Sequence, residues 1–196
     1  MDVSRIIESL NDAQREAVCA PQDPLLVLAG AGSGKTRVLV HRIAWLIDVE
    51  GLSPYAVLAV TFTNKAAGEM RARIEAMINA PASGMWVGTF HGLAHRLLRS
   101  HWQEAGLPQG FQILDSQDQL RLVKRAIQGL ELNEAKWPAK QMQWFINGCK
   151  DEGRRPQHIE HRNDPYLKRQ LEIDAAYEAL CERAGLVDFA ELLMRS

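Results

Sequence analysis

Apolar residues in the first 90 positions fall into two patterns, short unbroken runs and longer stretches that return every three or four residues. Leu25-Leu26-Val27-Leu28 is an unbroken run after a proline-bounded turn at residues 21–24, the pattern of a strand buried on both faces. From residue 35 to 48 the apolar positions Val38, Leu39, Ile43, Leu46 and Ile47, with the aliphatic stem of Arg42, recur at helical spacing. A short helix over residues 9–18 precedes the strand, with Ser9 or Asn11 placed to cap it. The alternation then repeats: a turn at residues 51–55, a buried strand over 57–62, a helix over 64–78 with Asn64 as its cap, a shorter strand over 85–88 and a helix over 90–105. Strands alternating with helices predict a parallel sheet with right-handed crossovers, so this region reads as α/β.

Beyond Gly110 the strand signals nearly vanish. Helices are predicted over residues 116–130, 138–150, 165–184 and 188–195, the first opened by a capping box of Ser116 and Gln119. A polar, proline-containing stretch over 153–165 reads as a surface loop. The expected organisation is an α/β domain over residues 1–90 and an all-helical subdomain over 91–196. The helical pattern of residues 191–196 runs to the last position without a C-cap or proline, so the chain is expected to be truncated and its sheet incomplete.

Composition narrows the class without naming the chemistry. The chain has 196 residues, 46% apolar and 24% charged, values of a folded globular protein rather than a disordered one. No run approaches the ~18–20 apolar residues of a membrane span, and residues 1–11 lack a secretory apolar core, so a cytoplasmic location is expected. Cys19, Cys149 and Cys181 are odd in number, widely spaced and outside any C-x-x-C pattern, which argues for reduced thiols. The net charge of −1 gives no broad basic footprint, so any nucleic-acid contact must come from a local groove.

The strongest chemical signal is Ala29-Gly30-Ala31-Gly32-Ser33-Gly34-Lys35-Thr36, placed between the predicted strand and helix. It fits the phosphate-loop pattern except for Ala29 at the first position. Glycines let backbone N–H groups wrap a phosphate that a side chain would keep away, and the following helix aims its unpaired amides at the same anion. Lys35 supplies a point charge for the β- and γ-phosphates, and the Thr36 hydroxyl is a Mg²⁺ ligand. ATP and Mg²⁺ are the expected cofactors. Phosphate loops serve kinases, GTPases and motors alike, so the loop alone does not choose the reaction.

Three further segments do. Leu10-Asn11-Asp12-Ala13-Gln14, Thr61-Phe62-Thr63-Asn64-Lys65-Ala66-Ala67-Gly68-Glu69-Met70 and Gly88-Thr89-Phe90-His91-Gly92 resemble, in order and placement, motifs of superfamily-one helicases. With Gly185-Leu186-Val187-Asp188-Phe189 near the end, the whole chain resembles the UvrD/Rep/PcrA family. The resemblance implies a phosphate-loop NTPase (RecA-like) parallel sheet, here the first part of motor domain 1A, followed by the helical insertion 1B. It implies an ATP-dependent helicase moving 3′ to 5′ on single-stranded DNA, acting at single/double-strand junctions in repair or replication, with other repair proteins as candidate partners.

Residue by residue, the Gln14 amide donates and accepts together, the chemistry that reads adenine's N6 and N7 edge, and the resemblance makes it the base-recognition residue. The Arg37 guanidinium can stack on a base, the family's placement for it, or can be an ordinary surface arginine. Thr61, Phe62, Thr63 and Asn64 lie where a parallel strand ends, the ligand-facing edge of an open sheet. Phe62 can stack on a base or serve as a core aromatic, and Thr61, Thr63 and Asn64 can hydrogen-bond phosphates. Thr89, Phe90 and His91 form the analogous cluster after the third strand, implied to contact the single strand.

Other features carry less. His91 and His95 are spaced i, i+4 but lack the glutamate of H-E-x-x-H, which argues against zinc. Arg96, Arg99, Lys150, Arg154 and Arg155 are candidates for duplex phosphates or for a solvated face, and Trp137 and Trp144 are expected to pack. No apolar run after the loop ends in Asp-Glu, the acidic pair that holds Mg²⁺ and orients water in the family, so the chain alone is expected to be inactive. Alternatives are a small-substrate phosphotransferase, a short nucleotide- or DNA-binding module without hydrolysis, and the helicase part of a helicase–nuclease.

Overall fold

A computed structural model describes residues 3–78, 81–82 and 84–196. The chain forms two compact units, residues 1–93 and 94–196. In the first, α1 (Ser4–Ile7) and α2 (Asp12–Cys19) precede α3 (Lys35–Asp48). Helix α2 starts where Asn11 makes a reciprocal capping box with Gln14: the Asn11 side chain accepts from the Gln14 backbone N–H at 2.9 Å, and Gln14 Oε1 accepts from the Asn11 N–H at 3.2 Å. A parallel pair follows, β1 (Leu58–Thr61) and β2 (Trp86–Thr89), with Leu58 opposite Trp86 and Thr61 opposite Thr89. Helix α4 (Asn64–Ile78) is the crossover between them, because parallel neighbours cannot be joined by a tight turn. It is capped by Thr63, whose Oγ1 accepts from the Ala66 N–H at 3.1 Å; Asn64, the expected cap, is its first residue. The core of this unit joins Val40, Ile43 and Ala44 of α3 to Ile74 of α4 and to Ala59 and Val87 of the strands.

One expectation fails here. Residues 25–28 pair with no strand among the described residues, and Leu26 and Leu28 are 80% and 86% exposed. An apolar run is buried on both faces only when neighbouring strands hold its backbone and helices cover it, and the sheet of this unit has two strands. Leu25 and Val27 instead line an apolar cleft of about 500 Å³ with Val38, Leu39 and Leu46 of α3.

Helix α5 (Phe90–Ser100) ends before residue 105; the chain turns through residues 101–106, closed by the Leu107 N–H on the Trp102 carbonyl at 2.8 Å. The second unit holds β3 (Gln112–Ile113), α6 (Ser116–Gly129), α7 (Ala139–Asp151), α8 (Pro165–Ala184), β4 (Leu186–Val187) and α9 (Phe189–Arg195). It is therefore not all-helical: β3 and β4 pair in parallel. Two residues are too few to show an alternation, which is why the sequence conceals them. The cap of α6 is Asp115, whose carboxylate accepts from the Gln117 and Asp118 N–H groups at 2.8 Å each, not Ser116. Gln119 is left to turn into the helical core beside Asn147. Helix α8 begins with Asp164 as cap and Pro165 in its first turn, and ends at Gly185 in the left-handed region, φ 64°. Leu122, Val123, Ile127, Met142, Ile146, Ile173 and Tyr177 form the core of this unit. The fold is thus α/β, mostly helical with small parallel sheets, and among the described residues no helix is long and apolar enough to cross a membrane.

Candidate nucleotide and nucleic-acid site

The phosphate-loop residues take the backbone conformation their glycines permit. Gly32 and Gly34 lie at φ 75° and 88°, where a Cβ is strained, and a Cβ at Gly34 would also lie 2.9 Å from Gln14 Nε2. Helix α3 starts immediately afterwards with Gly34 as its N-cap, no side-chain cap and no acid in its first turn. Its first amides are therefore not neutralised by a protein carboxylate or hydroxyl, the arrangement an anion requires. Lys35 Nζ lies across the loop, donating to the carbonyls of Ala29 at 3.1 Å and Gly30 at 2.7 Å. Ser33 Oγ also donates to the Gly30 carbonyl, at 2.7 Å. Gly30, Ala31, Gly32, Ser33, Lys35 and Thr36 are exposed, with Ala29 and Gly34 half-buried. These residues fit a polyphosphate: the backbone leaves space beside Gly30 and Gly32, an ammonium is at hand, and a helix N-terminus follows. The exposed Thr36 hydroxyl is of a type that could hold Mg²⁺.

Gln14 and Arg37 flank Gly34, and both are tied to backbone. Gln14 Nε2 donates to the Ser33 carbonyl at 3.0 Å, and an Arg37 terminal nitrogen donates to the Ser9 carbonyl at 2.8 Å. Arg37 also borders a cleft of about 520 Å³ with Arg5, His41 and Arg73. The bond from Gln14 to Ser33 was not legible from spacing, because the two residues approach only once α2 and the loop have folded.

The strand ends bring the other candidates together. Thr61 and Thr89 are register partners, so Phe62 and Phe90 emerge side by side, their rings 5.7 Å apart and tilted at 48°. Phe62 is 88% exposed and Phe90 49%, which removes the core reading of Phe62. Thr63 Oγ1 and Thr89 Oγ1 each accept a helix-start N–H, from Ala66 and Gly92 at 3.1 Å. Each hydroxyl keeps its own O–H to donate outward. Asn64 and His91 are exposed beside them.

Of the basic candidates for duplex phosphate or a solvated face, Lys150, Arg155 and Arg99 are instead engaged within the protein. Lys150 is 5% exposed and pairs with Asp188 at 2.8 Å and Glu191 at 3.1 Å. Arg155 bridges Glu178 at 2.7 Å and Glu191 at 2.6 Å. Asp188 also accepts from Tyr177 Oη at 2.6 Å while its other oxygen caps α9 through the Glu191 N–H. Burial alone would raise the Glu191 carboxyl, but hydrogen bonding to Arg155 and the charge of Lys150 hold it at about 2. Asp174 is buried with both carboxylate oxygens unpartnered, and burial, aided by Glu178, pushes it to about 7. Arg99 is likewise engaged, donating to His95 Nε2 at 3.0 Å and to the Gln109 carbonyl at 2.9 Å with its guanidinium 4.4 Å from the Phe111 ring centre. Arg154 remains half-exposed, paired with Glu152. Trp137 packs as expected, stacked on Tyr166 at 4.6 Å, whereas Trp144 is 63% exposed beside Lys140. All three cysteines are free thiols.

The sequence is 63% identical over 196 residues to DNA helicase II of Escherichia coli (strain K12), covering all of this chain and 27% of that protein. It is 57% identical to DNA helicase II of Haemophilus influenzae, again over 27% of that protein. Against the ATP-dependent DNA helicase PcrA of Leuconostoc citreum it is 40% identical over 99% of this chain and 26% of the relative. The chain thus spans about a quarter of the length of these relatives. Residues 10–196 match the UvrD/REP helicase N-terminal domain, and the chain belongs to that family.

Proposed function

We propose that this chain is the ATP- and single-stranded-DNA-binding N-terminal part of an ATP-dependent 3′–5′ DNA helicase of repair or replication. In this reading the first unit is the beginning of motor domain 1A, a RecA-like phosphate-loop domain, and the second belongs to subdomain 1B. The observation that carries it is the exposed Phe62–Phe90 pair, brought to 5.7 Å at the ends of two parallel strands in the unit that also holds the phosphate loop. A kinase of small substrates has no use for two neighbouring aromatic platforms on its surface, whereas a motor that tracks bases does.

The chemistry then divides among named groups. The loop amides at 30–34 and the first turn of α3 receive phosphate oxygens, and Lys35 turns from the Ala29 and Gly30 carbonyls to the β- and γ-phosphates. Thr36 would hold Mg²⁺ through its hydroxyl, and the ion would supply positive charge to offset that of the phosphates. Gln14 and Arg37 attend the base. Phe62 and Phe90 stack on successive bases, with Thr61, Thr63, Asn64, Thr89 and His91 donating to the backbone. Junction DNA and repair proteins are the proposed partners. The sequence carries no acidic pair after an apolar strand, so the chain alone is expected to turn over ATP negligibly.

The test uses a protein carrying both motor domains. Phe62→Ala should weaken single-strand binding by about 1–3 kcal/mol, roughly five- to 150-fold, and Lys35→Ala should abolish DNA-stimulated ATP hydrolysis. Unchanged strand affinity and unwinding in Phe62→Ala would sink the stacking assignment. Stimulation by small phosphate acceptors in place of single-stranded DNA would favour the phosphotransferase.

A further inference from the structure

We propose that Gln14 has a second role beside base reading: it braces the phosphate loop at Ser33, so that the purine and the triphosphate are sensed by one side chain. The inference rests on the nucleotide-binding reading above and deepens it.

The geometry is specific about which hydrogen-bonding positions of the amide are used. Oε1 accepts from the Asn11 N–H at 3.2 Å, which fixes the carboxamide to the start of α2. Nε2 donates to the Ser33 carbonyl at 3.0 Å, which fixes the loop to the same amide. A carboxamide has two N–H donors and two acceptor lone pairs, so one of each is left over. That remaining pair matches the N7 edge of adenine, with its N7 acceptor and N6 amino donor, whereas the N7 edge of guanine presents two acceptors, N7 and O6. By donor and acceptor count, base recognition and loop bracing are therefore compatible in one carboxamide.

The brace acts at a sensitive point. Ser33 precedes Gly34, whose φ of 88° sets the turn from loop into α3, and Gln14 Nε2 lies close enough that a Cβ at Gly34 would meet it at 2.9 Å. The Ser33 hydroxyl in turn holds the Gly30 carbonyl, which also receives Lys35. A chain of contacts thus runs from the start of α2 through Gln14 and Ser33 to the carbonyls that position the Lys35 ammonium. Losing the Nε2 donor leaves the Ser33 carbonyl without this partner and lets the loop wander before any phosphate arrives, so affinity falls even for a ligand with no base. Gln14 is by this account a positioning residue acting through Ser33.

The test measures binding of Mg–ATP, Mg–GTP and the baseless probe Mg–tripolyphosphate to the full-length helicase. Gln14→Met keeps the length and removes both the donor to Ser33 and the acceptor of the exposed Asn11 N–H, which water can replace; it should weaken tripolyphosphate roughly three- to tenfold, the worth of one hydrogen bond, as well as erase the preference for ATP over GTP. Asn11→Ala removes the side-chain cap of α2 but keeps the Nε2 donor, and should leave tripolyphosphate affinity unmoved. If Gln14→Met loses ATP preference while tripolyphosphate binds as before, the brace is overturned and base reading survives alone. If Asn11→Ala weakens tripolyphosphate as much as Gln14→Met, helix anchoring explains the effect and the brace is again overturned. If the unaltered helicase binds none of the three ligands, the nucleotide-binding reading itself fails and takes the brace with it.

Discussion

Two lysines and one aspartate show how far a residue's role depends on what encloses it. Lys35 and Lys150 are the same side chain, yet Lys35 is exposed on a loop whose carbonyls hold it for an anion, and Lys150 is sealed against Asp188 and Glu191. Burial opposes the Lys150 charge, but the two carboxylates outweigh it and raise its pKa. Asp174 has no such partner. Its carboxyl titrates at about 7 against an ordinary 3.8, so the folded state keeps a proton that the unfolded chain releases between these values. The associated stability is complete below about pH 3.8 and is lost as pH rises through 7. Asp174→Asn should therefore stabilise the helical unit, by an amount that grows from pH 5 to pH 8 and reaches a few kcal/mol, read from urea unfolding at both pH values. An equal gain at both would show that the carboxyl is not buried protonated. The sequence marked Lys35 through its glycine neighbours, but it could not separate Lys150 and Arg155 from solvated cations, because their acidic partners lie 23 to 41 residues away in the chain.

At the scale of elements, helix interiors were legible and their ends less so. The bounds of α4 and α8 coincide with the expected ranges, 64–78 and 165–184, because a 3.6-residue pattern sustained over four or more turns leaves little ambiguity. Caps depend on one rotamer each. At α6 the expected Ser116 gives way to Asp115, whose carboxylate reaches two amides at once. Asp115→Ala should cost about 1 kcal/mol of stability, within the 0.5–2 range for such caps, while Ser116→Ala should cost less; thermal melts of the two variants decide between them. A larger loss in Ser116→Ala would restore the capping box. The Thr63 cap has a further consequence, since its oxygen accepts from the Ala66 N–H while its O–H is left to donate, in a residue that the proposed function sets against DNA phosphate.

For the whole molecule, the largest departure from expectation is the apolar run at residues 25–28, which pairs with no strand among the described residues and leaves Leu26 and Leu28 facing solvent. An extended apolar backbone without ladder partners invites pairing with another chain. The 196-residue chain by itself should bind an apolar dye such as ANS and self-associate with rising concentration, and Leu26→Thr combined with Leu28→Thr should reduce both, seen by fluorescence and sedimentation. A dye-silent monomer at high concentration would contradict this. By itself the sequence determined the phosphate loop, the order of strands and helices that follow the loop in the first unit and the motifs at the strand ends, because each is encoded by neighbours within a few residues. Only the tertiary structure decided that Phe62 and Phe90 stand together, that Gln14 reaches Ser33, that Lys150 is buried and that residues 25–28 have no strand partner among the described residues. Local pattern fixes which face of an element is apolar, but which surface meets that face is settled by contacts between segments distant in the chain.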